Sequence, residues 1–121
     1  MNDFRDGNKV IIKQFKGTDK SYDFVVAPDA SGSSFIWPNY VVTAEGRFSS
    51  AGTKVIPDFV FPVTYRVVDG ASVGTIVFPS TLITEKIRED KIYWRINASK
   101  ITVGAPNIEV ILYGEIWLGV I

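Results

Sequence analysis

The period of the apolar residues constrains this chain most. Over Tyr40 to Phe48 they fall on every second position, with Tyr40, Val42, Ala44, Gly46 and Phe48 on one side and Val41, Thr43, Glu45 and Arg47 on the other. Such alternation marks a strand with one face buried, and it puts Glu45 and Arg47 together on the solvated face. Ile108 to Ile121 carries the longest run, with Ile108, Val110, Leu112, Gly114, Ile116, Leu118 and Val120 forming one inward face. The apolar set is dominated by Val, Ile, Thr, Phe, Tyr and Trp, which suit a pleated, half-buried surface.

The same period predicts strands over Lys9 to Gln14, Lys20 to Ala27, Asp58 to Val68, Gly74 to Phe78 and Lys91 to Ser99. In Asp58 to Val68 the core face reads Phe59, Phe61, Val63, Tyr65 and Val67. Pro62 falls opposite and cannot donate to a ladder, so this strand is an edge or is broken by a bulge. Asp69-Gly70 is a turn signal inside a longer loop, Asp69 to Val73. Ser80 to Glu89 is the one helical stretch, and Thr and Ile limit it to one or two turns. Pro28 to Ser34 and Ser49 to Thr53 read as polar loops. Strands without strand–helix alternation point to an antiparallel sandwich or barrel.

Length and composition narrow the function. The 121 residues suit a single domain spanning 1–121, with 1–8 as a flexible arm. There is no Cys and no His, which removes thiolate chemistry, the commonest general base and the commonest metal ligand. Thirteen basic residues balance thirteen acidic ones, so the basic excess of a nucleic-acid binder is absent. No apolar run approaches the roughly 18 residues of a membrane helix. The first residues show no signal peptide, so the expectation is synthesis in a cytoplasm, with no membrane partner.

Motifs that could carry chemistry are sparse. Asn97-Ala98-Ser99 matches a glycosylation sequon, but on or just past a strand. Asp3, Asp6 and Asn8 around Gly7 lack the downstream Glu of a calcium loop. Glu85, Glu89 and Asp90 are interspersed with Lys86, Arg88 and Lys91, a solvated pattern. Glu109 and Glu115 share the outward face of the last strand, about 20 Å apart along it, too far for a glycosidase pair. Ser residues have no base at a catalytic spacing. The reading is no enzyme, no cofactor and no metal.

Aromatic residues make up 13% of the chain, and they supply the candidate interaction residues. Trp94 shares a face with Ile92 and Ile96 and reads as core. Trp37 stands in a loop leading into a strand. Ile111, Tyr113, Trp117 and Ile121 form an outward row larger than a monomer usually exposes. Three explanations compete for that row: cover by the other sheet or a loop, a subunit interface, or a sugar-stacking platform. The chain also ends on its apolar last strand, which favours work within an assembly.

The order of segments carries a resemblance. Asp23-Phe24-Val25-Val26 precedes a Gly-containing loop, then Val42-Thr43-Ala44-Glu45-Gly46-Arg47, Phe59-Val60-Phe61 and Val67-Val68-Asp69-Gly70. Gly74-Thr75-Ile76-Val77-Phe78-Pro79 follows, then a short polar stretch and Lys91-Ile92-Tyr93-Trp94-Arg95-Ile96. This resembles the small immunoglobulin-like β-sandwich at the N-terminus of phage baseplate upper proteins and many tail-fibre proteins, over about residues 9–121. The resemblance implies an immunoglobulin-like sandwich of about seven to eight strands with at most one short helical turn. It implies a virion component that docks onto other virion proteins and forms a homo-oligomer within an assembly. Family members continue into a coiled coil or fibre with a receptor-binding end, so the role implied here is a tail, baseplate or fibre-attachment component. A head decoration (cement) protein and a carbohydrate-binding module that takes a glycan are the alternatives.

Overall fold

The computed structural model describes residues 9–28, 31–32, 34–49, 56–101 and 108–120. The expected arm over residues 1–8, the Asp3/Asp6/Asn8 cluster, Ile121 and parts of both polar loops lie outside the described residues. The chain is an all-β sandwich, with eight strands among the described residues: β1 (Val10–Phe15), β2 (Lys20–Phe24), β3 (Tyr40–Arg47), β4 (Phe59–Phe61), β5 (Val63–Val68), β6 (Ala71–Phe78), β7 (Lys91–Lys100) and β8 (Ile108–Gly119). A five-stranded sheet runs β1-β8-β7-β3-β4, and a three-stranded sheet runs β2-β6-β5. Every pairing is antiparallel except β1 with β8, which is parallel. The turn after β1 leads into the other sheet, so no hairpin sets the direction of β1.

Pro62 is where the chain changes sheets. It lacks the N–H that would continue the ladder, and its carbonyl accepts from Val77 N at 3.0 Å. The strand expected over Asp58 to Val68 therefore becomes β4 at one edge of the larger sheet and β5 at one edge of the smaller. Phe59 and Phe61 are buried and Val63 half-buried, but Tyr65 and Val67 are exposed, so the core face ends earlier than the alternation implied. β5 turns into β6 through two residues, Asp69 and Gly70, with φ of 51° and 80°. Two successive left-handed residues make the tight hairpin that matches strand twist. The expected longer loop is thus absent, and β6 begins at Ala71.

The core lies between the sheets. Phe61, Ile76, Phe78, Ile92, Ile96 and Ile116 are its fully buried centre. Three strand glycines make room for aromatic rings. A side chain at Gly46 would meet Phe61 Cε2 at 2.7 Å, and one at Gly74 would meet Phe24 Cζ at 2.5 Å and Trp37 Cζ2 at 2.8 Å. At Gly114 it would meet the Val10 carbonyl oxygen at 1.8 Å and Trp94 Cζ2 at 3.0 Å.

Residues 79–90 form turns, not the expected helix. Their backbone groups are committed elsewhere. Ile83 O accepts from Gly17 N at 2.6 Å, Asp90 O from Leu118 N at 2.8 Å, and Ile87 O from Lys16 Nζ at 2.7 Å. Asp19 Oδ1 accepts from Ser80 N at 2.6 Å. Ile83 is fully buried and packs into the core. Burial of Ile83 and these ties outweigh a helix propensity already diluted by Thr and Ile. Among the described residues the one helical turn is 3-10, at Trp37–Asn39.

Candidate functional site

The outer face of the five-stranded sheet concentrates the polar and aromatic side chains. Register sets three rows across it. Lys13, Trp117 and Lys91 form one; Ile11, Glu115, Tyr93 and Arg47 the next; Tyr113, Arg95, Glu45 and Val60 the third. Neighbours in a row are close enough to interact. The rows carry two anionic centres, each held by cations.

Glu115 is 7% exposed, covered by its own neighbours on the outer face. Its Oε2 accepts from Lys9 Nζ at 2.5 Å. Its Oε1 accepts from Trp117 Nε1 at 2.8 Å and pairs with Lys91 Nζ at 3.1 Å. The Lys9 bond, seconded by the Trp117 bond, holds the carboxyl down at about 2. Lys9 is raised in turn, chiefly by the same bond. Glu45 Oε1 accepts from Arg47 Nη1 at 2.7 Å and Arg95 Nε at 2.6 Å. Burial pushes the Glu45 carboxyl up, but the Arg47 and Arg95 bonds outweigh it and the net shift is downward.

Between the second and third rows lies a groove of about 500 Å³. Tyr93 and Tyr113 line it together with Lys9, Glu45, Arg47, Arg95 and Glu115. At its flank, Trp117 stands between two lysines, Lys13 Nζ at 5.8 Å and Lys91 Nζ at 5.7 Å from the ring centroid. These come from the strands on either side of β8, an arrangement of cation–π contacts. Beside them Ile11 and Phe15 are exposed on β1.

The expected interaction residues separate. Tyr113 and Trp117 are on the outer face, and Trp117 is 41% exposed. Ile111 is not: it is 2% exposed, because a bulge places it between the pairs Ile96–Leu112 and Asn97–Val110. An extra residue shifts the alternation, so Glu109 leaves the face of Glu115 and pairs with buried Ala98. Trp37 is 5% exposed and belongs to the core, stacked with Tyr65 at 4.8 Å and packed near Phe24 and Phe35. Trp94 is core, as expected. Asn97 lies in central strand β7 with its Oδ1 buried and without a hydrogen-bond partner among the described residues, a poor sequon acceptor.

Sequence reasoning missed Ile11, Phe15 and the keystone role of Glu115. The alternation Lys9, Ile11, Lys13, Phe15 held the first signal, and the two-residue spacing of Glu115 and Trp117 the second. Among the described residues no group of three metal-ligating side chains gathers, and no helix is long and apolar enough to cross a membrane. No family model, no curated protein and no solved structure matches this chain.

Proposed function

We propose that the chain is a non-enzymatic structural protein of a bacteriophage particle, a tail, baseplate or fibre-attachment component that docks onto other virion proteins. The observation that carries the docking role is the exposed set of Ile11, Phe15 and Trp117 on β1 and its neighbour β8. β1 is an edge strand, with no second partner among the described strands. Exposed apolar and aromatic side chains on an open edge suit a surface that a neighbouring subunit covers. Trp117 is already fixed by Glu115 and flanked by lysines. An anchor ordered before binding loses little entropy on docking. The order of segments that resembles the phage sandwich domains supports the virion assignment. It serves a head decoration protein as the second reading, since the same docking patch would suit a capsid surface.

The test is mass by light scattering over a range of concentrations, for the parent chain and for Phe15→Glu, followed by binding to the tail, baseplate and head proteins of the same phage. Assembly or virion-protein binding that Phe15→Glu weakens is the expected result. A monomer throughout that binds none of those proteins overturns the proposal.

A further inference from the structure

We propose that the groove between Tyr93 and Tyr113 binds an acidic oligosaccharide, one whose sugar rings carry carboxylates. The inference is independent of the docking reading, which uses Ile11, Phe15 and Trp117. Its volume, about 500 Å³, falls within the roughly 300–1,000 Å³ of small-ligand sites.

Three observations select the ligand class. First, the strands beneath it are central. β7 pairs with β3 and β8, and β8 pairs with β7 and β1. Their backbone groups are spent on the ladders, so an extended peptide finds no main-chain partners there. Whatever binds is read by side chains alone. Second, those side chains are planar, polar and aromatic, and they are held in place. Arg47 and Arg95 both bond Glu45 Oε1, and Lys9 bonds Glu115. Sugar hydroxyls need donors and acceptors fixed in this way, and the two phenol rings give apolar surface for the ring faces. Both guanidinium bonds fall on Glu45 Oε1, so its Oε2 is left over as an acceptor. Third, the charge is one-sided. Lys9, Arg47 and Arg95 in the groove, with Lys13 and Lys91 beside it, outnumber the two carboxylates of these rows, Glu45 and Glu115. The whole chain is neutral by comparison, with thirteen charges of each sign. Arginine forks match carboxylates.

The same geometry turns sugar stacking away from Trp117. Lysines from β1 and β7 flank its ring on both sides, whereas the Tyr93 ring has one lysine near it, Lys91 at 5.8 Å.

The experiment titrates the full chain with oligogalacturonate, hyaluronan oligosaccharides and oligosialic acid, and with methyl-esterified oligogalacturonate and an oligoglutamate peptide as controls. Binding is followed by NMR shift perturbation. The expected result is binding of at least one acidic saccharide, with shifts centred on Tyr93, Arg95 and Tyr113, weakening as salt rises. Arg95→Gln should cost about tenfold in affinity, as loss of one charge-assisted hydrogen bond implies. Tyr93→Leu is the second variant, and the melting temperature of each is checked, so a loss through misfolding is recognised. No binding by any of the three saccharides overturns the proposal. So does equal binding by the ester, equal binding by oligoglutamate, or shifts centred on β1. Arg95→Gln should leave assembly through Phe15 and Trp117 unchanged, which keeps this proposal's failure distinct from that of the docking reading.

Discussion

Glu115 and Trp117 lie two residues apart on one face of β8, and the indole Nε1 donates to the Glu115 carboxylate at 2.8 Å. That bond, with those from Lys9 and Lys91, makes a carboxylate on the outer face of a sheet nearly inaccessible to solvent. The Glu115 carboxyl sits at about 2 rather than 4.5. A carboxylate with a depressed folded pKa contributes stability above its unfolded pKa and loses it as pH falls through the folded one. The window here is therefore about pH 4.5 down to about 2. Glu115→Gln should be less stable than the parent by about 2 kcal/mol at neutral pH, the scale of hydrogen bonds to a charged group. The gap should close across that window. Urea unfolding of both proteins at several pH values checks it, and a gap independent of pH would show that packing, not charge, is at stake.

Gly114 admits the start of β1. A methyl there would meet the Val10 carbonyl oxygen at 1.8 Å, a backbone atom that cannot swing aside. Gly114→Ala should push β1 off β8, with a loss at the upper end of the roughly 1–3 kcal/mol range for overpacking. Hydrogen exchange localises the effect. The β1 amides should lose protection while those of β3 and β7 keep theirs. Uniform loss across the sheet would count against a local fault.

How far the sequence was legible follows from this packing. Alternation exposed β3 and most of β8 because each has one buried face. It failed at Ile111, where one extra residue in the strand shifted the side chains beyond it; a bulge is a pairing event and leaves no mark on a single strand. It overran at Tyr65 and Val67, since alternation continues past the point where the opposing sheet stops covering it. It misplaced the helical turn, because residues 79–90 owe their form to acceptors and donors on Gly17, Lys16, Asp19 and Leu118, all distant in sequence. At the site, the Glu45–Arg47 face was readable, and the keystone role of Glu115 was not, because Lys9, just ahead of β1, reaches it from 106 positions away.

The Asp69-Gly70 hairpin offers a test of backbone strain alone. Gly70 has a φ of 80° and nothing within 4 Å of where a side chain would stand. Gly70→Ala therefore meets no clash, only the left-handed penalty of about 1–2 kcal/mol. Unfolding should show that cost with an unchanged denaturant slope. A cost below a few tenths would mean that the turn relaxes to another type.

Two tryptophans on the same sandwich should behave in opposite ways. Trp37 is 5% exposed and touches Phe24, Phe35 and Tyr65, so its role is packing. Trp37→Ala should cost about 3–5 kcal/mol, the usual range for a buried aromatic truncated to Ala, and any loss of assembly should track the loss of fold. Trp117 is 41% exposed and lies between two lysines on the outer face. Trp117→Ala should cost about 2 kcal/mol of stability, through loss of the hydrogen bond to Glu115, the two cation–π contacts and a partial burial. Its larger effect should be on assembly. Melting temperature and solution mass, measured together for both variants, separate the two roles. If Trp117→Ala unfolds the chain as readily as Trp37→Ala, the outer face is structural and the docking surface must be sought elsewhere.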